Sequence, residues 1–281
     1  MSIRIINTYA VVFVCLVSLS LLSCGSYIAG TNAIPLSRAH AHNDYEHDRP
    51  LYDALDHGFN SVEADVLLVG DDLYVAHNAR DVKAGKTLRL LYLEPLKKRI
   101  MINDGRVYPN GPQFTLLIDI KTGAVETYEA LDRILVEYRE IFTSFAPNGR
   151  SDKAILAIIS GNRPREFMES QKLRYAGYDG RLTDLKSNYP ADLIPVISDN
   201  WKKHFKWNGT GKMPAGEHDR LREIVQKAHE KGRLVRFWST PDNSSPAREA
   251  FWSELLSAGV DLINTDDLEG LRKFLLANRS R

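Results

Sequence analysis

Three acidic residues lie within apolar stretches that have the length and composition of β-strands. Glu63 and Asp65 are two positions apart in SVEADV, and Asp119 lies between two isoleucines. Because side chains alternate along a strand, Glu63 and Asp65 face the same way, with Cα atoms ~6.6 Å apart. Carboxylates so close repel one another unless protons or a cation intervene. Oxygen ligands favour Mg²⁺ or Ca²⁺ over zinc, so the sequence predicts one divalent cation bound by Glu63, Asp65 and Asp119.

Two histidines, His42 and His77, flank the acidic pair along the chain. Histidine titrates near neutral pH and can act as a general base or a general acid, each role contributing ~10²–10⁴-fold to a rate. Phosphodiester cleavage needs both roles, because a hydroxyl must lose a proton and the leaving oxygen must gain one. His42 and His77 are therefore the predicted catalytic residues. His40 shares the strand face of His42 and competes for the role of base, although its deeper position favours a supporting role.

Residues at other predicted strand ends are candidates for substrate binding. Lys121 lies on the face of Asp119 and can hold a phosphate oxygen. Arg236 has the planar fork that suits phosphate. Trp238 offers an apolar wall or fills the core, and Asp266 either lies at the site or caps the last helix. The full set is Lys121, Asn43, Arg236, Trp238 and Asp266.

From residue 34 onward, short apolar runs alternate with amphipathic helical patterns, which predicts βα units and a parallel sheet. The helical patterns are clearest at Ala124–Phe142, His218–Lys231, Pro246–Ala258 and Leu268–Ala277. The predicted strands lie near Leu36–Ala41, Ser61–Val66, Thr115–Ile120, Ala154–Ile159, Arg174–Tyr178, Ile194–Ile197, Leu234–Trp238 and Leu262–Asn264. A short extra strand at Leu73–Ala76 is expected to form a hairpin with the second.

Eight strands that alternate with helices favour an α/β fold of the (β/α)8 TIM type, with a doubly wound open sheet as the alternative. The barrel is predicted as a single domain, residues 34–281, and residues 79–112 as an excursion at its rim. In such barrels the functional residues lie at the C-terminal ends of the strands, where the candidates above are found.

The N-terminal segment differs in composition from the rest of the chain. Its apolar run is shorter than the ~20 residues of a spanning helix and ends in Leu22-Ser23-Cys24-Gly25. We interpret residues 1–24 as a lipoprotein-type signal segment with lipidation at Cys24, and residues 25–33 as a short tether. A plain signal peptide or an uncleaved anchor is the alternative. The predicted location is the bacterial cell envelope, with membrane attachment through this lipid anchor, or secretion if the anchor is absent.

The charge and cysteine content narrow the function further. Because 37 basic residues face 36 acidic ones, the net charge of +1 provides no electrostatic footprint for nucleic acid. Both cysteines, Cys15 and Cys24, belong to the N-terminal segment, which excludes a disulfide framework or a cysteine nucleophile in the barrel. The expected partner is a small-molecule or lipid phosphodiester substrate, and no protein partner is indicated.

The order and spacing of several motifs resemble the phosphatidylinositol-phospholipase-C-like phosphodiesterase superfamily, which includes the glycerophosphodiester phosphodiesterases. The motifs are Glu63-Ala64-Asp65-Val66, His77 and Ile118-Asp119-Ile120-Lys121, and they are also similar to sphingomyelinase D. The blocks Ala41–Tyr45, Phe237–Asp242 and Gly259–Asp267 resemble the branch of the fungal "altered inheritance of mitochondria" proteins and their bacterial relatives. This resemblance implies a TIM barrel with one Mg²⁺ or Ca²⁺, His42 as base or nucleophile, His77 as acid, and a Trp and an Asp that Trp238 and Asp266 match.

The chain departs from the glycerophosphodiesterase pattern, because His42-Asn43-Asp44 stands where that subgroup has His-Arg-Gly. The predicted function is a divalent-metal-dependent phosphoric diester hydrolase or lyase acting on a phospholipid or a lipid-derived phosphodiester. A metal-dependent amidohydrolase is one alternative, because His40-Ala41-His42 fits its His-x-His motif. A non-catalytic surface binding lipoprotein is the other.

Overall fold

Apolar runs bounded by glycine, proline and polar residues form the strands of this protein. The computed structural model describes residues 33–279. Its strands, in chain order, are β1 (Leu36–Ala41), β2 (Phe59–Val69), β3 (Asp72–Val75), β4 (Phe114–Ile120), β5 (Ser144–Ala146), β6 (Gly149–Ser151), β7 (Ile155–Gly161), β8 (Ala176–Gly180), β9 (Val196–Asn200), β10 (Leu234–Trp238) and β11 (Ile263–Thr265).

Eight of these strands form a nearly closed parallel barrel, as the sequence predicts. Their order is β10-β9-β8-β7-β4-β2-β1-β11, and every pair along it is parallel. A parallel bridge between Arg236 and Leu262 then brings β10 beside β11. The expected hairpin is present, because β3 pairs antiparallel with β2.

The lower part of the barrel interior is apolar. Leu156 and Ile158 have the same strand parity as Ser160, which lies opposite Asp119 in the register, and so they face inward. They pack with Val196, Leu262 and Phe145 in a small buried cluster. The acidic residues of the same inward face, such as Asp65 and Asp119, lie toward the upper end, where the strands finish.

The helices pack around the barrel through their apolar faces, since a helix must bury its apolar stripe against another layer. They are α1 (Tyr52–Asp56), α2 (Glu94–Ile102), α3 (Ala124–Glu137), α4 (Arg165–Ser170), α5 (Trp201–His204), α6 (Ala215–His229), α7 (Pro246–Ala258) and α8 (Leu268–Ala277). Shorter 3₁₀ segments lie at Asp44–Glu46, Ala79–Asp81 and Leu182–Lys186, and a π-turn at Arg89–Leu93 precedes α2. Among residues 33–279, no helix is both long and apolar enough to cross a membrane.

The structure corrects the predicted helix Ala124–Phe142, because α3 ends at Glu137. Ile141 and Phe142 continue the apolar pattern, but Ile141 belongs to the turn after the helix and Phe142 forms a parallel bridge to Ile155 of β7, and both are buried. Ile155 donates its amide to the Ile141 carbonyl at 2.9 Å, and Thr143 donates to the Ile155 carbonyl at 2.8 Å. The turn Pro147-Asn148-Gly149 then forms the β5–β6 hairpin, which places Phe145 under the barrel.

The aromatic residues after β9 are part of the core, because Trp201 stacks on Phe205 at 4.0 Å and meets Phe237 edge-on at 5.3 Å. The predicted signal segment 1–24, its lipidation site Cys24 and the tether up to residue 32 lie outside the described residues.

Candidate active site

The three predicted metal ligands meet at the upper end of β2 and β4. Asp65 lies opposite Asp119 in the parallel register, and Glu63 is one inward position below Asp65. One carboxylate oxygen from each residue lies within 4.8 Å of the other two. Glu63 and Asp65 are buried and Asp119 is partly buried, so their charges are poorly screened by water.

Asp65 is fully buried, and its two oxygens have different surroundings. Its Oδ2 accepts a hydrogen bond from the Tyr45 hydroxyl at 2.7 Å and lies 3.0 Å from the Lys121 Nζ and 2.7 Å from the His77 Nδ1. Its Oδ1 is buried without a hydrogen-bond partner among the described residues. A buried carboxylate oxygen normally has a partner. An unpartnered buried oxygen on a residue of the acidic cluster suits a cation.

The pKa of Asp119 shows the repulsion among the three carboxylates. Burial, together with the charges of Asp65 and Glu63, raises the pKa of Asp119 to about 6, although the ammonium group of Lys121 opposes that rise. Lys121 Nζ bridges the two aspartates, at 3.0 Å from Asp65 and 3.1 Å from Asp119. One ammonium therefore does not fully compensate the acids, and the residues present fit a hard divalent cation.

The negative charge of Glu63 is balanced by Arg236, which reaches it across the barrel from β10. Burial disfavours its charged form, but the Arg236 guanidinium and a hydrogen bond from His40 outweigh burial and lower the pKa of Glu63. Arg236 contacts Glu63 Oε2 directly, and its Nε and Nη2 donate to Asn264 Oδ1 at 3.0 and 2.6 Å. Arg236 is 3% exposed, so it is engaged with Glu63 and Asn264 while lining the cavity.

His40 and His42 occupy distinct environments, although they share a strand face. His40 is fully buried between Ser61 Oγ (2.7 Å) and Glu63 Oε2 (3.3 Å), and burial lowers its pKa to about 4. It is therefore a neutral partner of Glu63 at physiological pH, which agrees with a supporting role.

His42 lies at the mouth, where its amide still pairs with the Thr265 carbonyl of β11. Its Nδ1 lies 2.7 Å from Asp266 Oδ1. Burial opposes the charged form of His42, but the Asp266 hydrogen bond and the Glu63 charge prevail, and the pKa of His42 is raised. Asp266, the residue after β11, is itself held through its amide by Asp242, so this pair fixes the ring of His42. The N-cap of the last helix, which was the alternative role for Asp266, is its neighbour Asp267.

A cavity of about 490 Å³ opens above the acidic cluster. His42 and His77 both border it, with side chains 30% and 55% exposed, and so does each predicted substrate-binding residue except Asp266. Asn43 and Trp238 lie at its rim, and Asn43 adopts a left-handed backbone with φ 48°. The sequence-predicted residues are thus brought together at one mouth.

Several residues of the mouth were not predicted from the sequence. Tyr45 binds Asp65, Asn264 binds Arg236, and Arg181 lines the cavity from the end of β8. Tyr45 and Asn264 lie within motifs that carried the resemblance, so they had a signal. Arg181 follows β8, whose end carries a single acid, Asp179, and no histidine.

Gly161, the last residue of β7, supports Asp119 closely. A Cβ at Gly161 would lie 2.0 Å from Asp119 Oδ1 and 2.4 Å from the Ile120 carbonyl oxygen, and its φ of +66° disfavours other residues. The glycine allows β7 to approach β4 at the position where the Asp119 carboxylate lies.

We expect Gly161→Ala to lower the free energy of unfolding by more than Gly70→Ala. Gly70 has a similar φ of +62° with open space around it, so its substitution carries only the left-handed backbone cost of ~1–2 kcal/mol. Gly161→Ala adds the displacement of Asp119. Urea unfolding of both variants measures the difference, and equal losses would contradict the close packing described here.

Arg236→Met is expected to destabilise the fold by about 3–5 kcal/mol, because it leaves the buried Glu63 carboxylate without its counter-charge. Adding Glu63→Gln to Arg236→Met should recover part of that loss. Lys227→Met serves as the control, since Lys227 pairs with Glu223 on the exposed surface and should change stability much less. A double-mutant cycle by urea unfolding tests this, and full additivity would argue against the coupling.

Comparison with solved structures shows the same fold. A calcium-dependent phosphoinositol-specific phospholipase C from Pseudomonas sp. aligns with a TM-score of 0.52 at 12% identity, covering 86% of this chain and 92% of that chain. A glycerophosphoryl diester phosphodiesterase from Parabacteroides distasonis aligns with a TM-score of 0.52 at 15% identity, covering 88% and 87%. At these identities the likeness concerns the barrel alone.

Fungal proteins are among the curated relatives of this chain. "Altered inheritance of mitochondria protein 6" of Eremothecium gossypii is 29% identical, over 87% of this chain and 71% of its own length. The homologue from Arthroderma benhamiae is 28% identical, over 84% and 82%. The predicted location in a bacterial cell envelope is therefore wrong, because these relatives point to a eukaryotic origin.

Family models match two parts of the chain. Residues 235–269, which include Trp238 and Asp266, match the glycerophosphoryl diester phosphodiesterase family. Residues 30–179, over half of the chain and including the acidic cluster, match the AIM6-like phosphodiesterase domain. The resemblance drawn from the motifs is confirmed, and the protein belongs to the AIM6-like phosphodiesterase family.

Proposed function

We propose that this protein is a divalent-metal-dependent phosphodiesterase with His42 as general base and His77 as general acid. The observation that carries this proposal is the convergence of three carboxylates and two histidines around one cavity. Membership of a phosphodiesterase family supports phosphodiester cleavage in general. The metal, the two histidine roles and the substrate class are proposals that rest on the geometry.

The cation would be held by Glu63, Asp65 and Asp119, whose oxygen-only set favours Mg²⁺ or Ca²⁺. When bound, such a cation neutralises the phosphodiester anion and polarises its oxygens. Lys121, 3.0 Å from Asp65 and bordering the cavity, is the proposed donor to a second phosphate oxygen.

His42 is suited to accept a proton. Its Nδ1 is engaged by Asp266, which leaves Nε2 for the attacking hydroxyl. The same hydrogen bond orients the ring and stabilises the imidazolium that forms when the proton arrives. The attacking hydroxyl belongs either to water, giving hydrolysis, or to the substrate itself, giving a cyclic phosphate.

His77 is suited to donate a proton to the leaving oxygen. Its Nδ1 lies 2.7 Å from Asp65 Oδ2, and its ring borders the cavity at the end of the β2–β3 hairpin. The Asp65 carboxylate holds Nδ1, which leaves Nε2 for the leaving oxygen. Trp238 and Asn43 at the rim are the proposed contacts for the alcohol moieties of a phospholipid or lipid-derived phosphodiester.

A metal-dependent amidohydrolase is the weaker alternative. His40 and His42 have separate partners, Glu63 and Asp266, instead of a shared ligand position. The ends of β8 and β9 carry Arg181 and Asn200, where that class needs further histidine ligands. Zinc retained by the purified protein would favour this alternative.

Cation binding should depend on the ionisation of Asp119. The pKa of Asp119 is raised to about 6, so its carboxyl is neutral below that pH and competes poorly for a cation. We therefore expect the affinity for Mg²⁺ or Ca²⁺, measured by calorimetry, to rise with pH up to about 6 and then level. Asp119→Asn should abolish this pH dependence and weaken binding, whereas Asp219→Asn, an exposed change on α6, should do neither. The absence of any cation binding by the parent protein would refute the proposed metal site.

The pH dependence of kcat/KM should follow the ionisation of His42. A general base must be deprotonated, so kcat/KM should rise with pH through the pKa of His42, and the raised pKa places this limb above the ordinary histidine value. Asp266→Asn keeps an acceptor oxygen but removes the carboxylate charge that helps to raise the pKa of His42, so the limb should move to lower pH while kcat/KM falls. The substrate for this test comes from a panel of lysolipids, sphingolipids and deacylated glycerophosphodiesters assayed with Mg²⁺, Ca²⁺ or chelator.

His42→Ala and His77→Ala test the two roles directly, and each should lower kcat by about 10²–10⁴-fold. His57→Ala is the matched control, because His57 lies after α1 with its Nδ1 against the Asp53 carbonyl. Unchanged turnover in either active-site variant would exclude the histidine mechanism, and turnover by no member of the panel would favour a binding protein.

A further inference from the structure

The loop that follows β1 brings Asn43 and Tyr45 to the mouth of the barrel. Asn43 borders the cavity, and the Tyr45 hydroxyl donates to Asp65 Oδ2 at 2.7 Å. Between these two residues lies Asp44, which is fully buried and is not part of the cavity wall. The proposed reaction gives this buried acid no role.

The surroundings of Asp44 are unfavourable for a carboxyl group. Its Oδ2 accepts hydrogen bonds from the Leu51 amide at 2.6 Å and from the Tyr92 hydroxyl at 2.8 Å. Within the described range 33–279, its Oδ1 is buried without a hydrogen-bond partner. Burial raises the pKa of Asp44 to about 7, although both donors oppose the rise. A buried acid with an unpartnered oxygen lowers the stability of a fold, so its presence requires an explanation.

The Leu51 amide that Asp44 binds belongs to a strained turn. Tyr52 donates its amide to the Pro50 carbonyl at 2.8 Å, and Leu51 between them has a φ of 66° and a ψ of −49°. These angles are close to those of the γ-turn with positive φ, which is rare and strained. Strained backbone of this kind is concentrated near functional sites. The Asp44 carboxyl therefore closes the loop 43–51 at its strained end.

Tyr92 connects this loop with the segment at the rim of the barrel. It is fully buried and lies in the π-turn Arg89–Leu93, a backbone form that is frequent at functional sites. Burial, and then the charges of Asp44 and Asp65, raise the pKa of Tyr92, so its hydroxyl stays protonated and donates. The rim, the loop 43–51 and the proposed metal ligand Asp65 are thus neighbours around one buried acid.

We propose that Asp44 is a positioning residue for the cation site, and that it holds the loop 43–51 so that Tyr45 binds Asp65 Oδ2. Because Tyr45 and His77 occupy Oδ2, the oxygen of Asp65 that remains without a partner is Oδ1. Hydrogen-bond partners orient a ligating carboxylate, and losing one typically weakens metal binding by about 10- to 100-fold. This inference rests on the proposed metal site, since Asp44 acts on the affinity of that site through Tyr45.

The test compares cation binding with stability in a matched pair of variants. Tyr92→Phe removes the hydroxyl that donates to Asp44. Tyr128→Phe is the control, because Tyr128 is equally buried and donates to Gln171 Oε1 at 2.8 Å from α3. Dissociation constants for Mg²⁺ and Ca²⁺ are measured by calorimetry, and the free energy of unfolding is measured by urea without the cation.

We expect Tyr92→Phe to raise the dissociation constant about 10-fold, at the lower end of the range for outer partners of a metal ligand. Tyr128→Phe should lower stability by a similar amount and leave cation binding unchanged. Asp44→Ala should weaken binding further, whereas Asp44→Asn should retain most of the affinity, because it keeps an acceptor oxygen for Leu51 and Tyr92. Tyr92→Phe alone decides the test if Asp44→Ala does not fold.

A double-mutant cycle shows whether Asp44 acts through Tyr45. In the Tyr45→Phe background the contact with Asp65 is already lost, so Tyr92→Phe should change cation binding no further. An effect of the same size in that background overturns the inference, and so does a loss of stability without weaker cation binding in Tyr92→Phe. If the parent protein binds no cation, the proposed metal site fails and this inference fails with it, which distinguishes the two failures.

Discussion

The mutual repulsion of three carboxylates at the end of β2 and β4 is the constraint on which the site depends. Glu63, Asp65 and Asp119 face one another in a poorly hydrated mouth, and each must be balanced by a different positive or hydrogen-bonding group. Arg236 compensates Glu63, whereas Lys121, Tyr45 and His77 share Asp65. The residual repulsion is visible in the raised pKa of Asp119. The same imbalance is what supports the proposed divalent-cation site.

These compensating groups also connect strands with one another at the upper end of the barrel. Arg236 on β10 reaches Glu63 on β2 and Asn264 on β11, so one guanidinium joins strands from opposite sides. The sequence predicted Arg236 as a substrate-binding residue because its fork suits phosphate. In the structure the fork is engaged by a carboxylate and an amide, and its contribution is to fix the geometry of Glu63.

Much of the fold was accessible from the sequence, because the apolar runs and helical stripes are regular. Strands β1 and β10 and helices α7 and α8 have the predicted bounds. The acids were found through strand parity, which the register between Asp65 and Asp119 reproduces. Local patterns did not reveal that Ile141 and Phe142 leave the helix, because the same apolar residues can be buried beside β7 outside a helix.

The residues of the mouth that the sequence did not predict were missed for a different reason. Arg181 pairs with Asp179 two positions earlier and donates to the Ser198 carbonyl of β9, but the cavity that it borders is formed with residues of other strands. Likewise, the partner that separates His42 from His40 is Asp266, far away in sequence. Pairing of this kind depends on how the barrel closes. A single sequence does not state which residues of distant strands will then be in contact. The resemblance supplied the order of the motifs but not these contacts.

The long-range contacts of the mouth also bear on how the protein is made. Glu63 and Arg236 are 173 positions apart, and His42 and Asp266 are 224 positions apart. During synthesis from the N-terminus, β1, β2 and β4 leave the ribosome well before β10 and β11. Throughout that interval the Glu63 carboxylate has no guanidinium and the ring of His42 has no carboxylate to orient it. Contacts between residues so far apart in sequence form late and slowly. The candidate site is therefore assembled only when the last strands close the barrel.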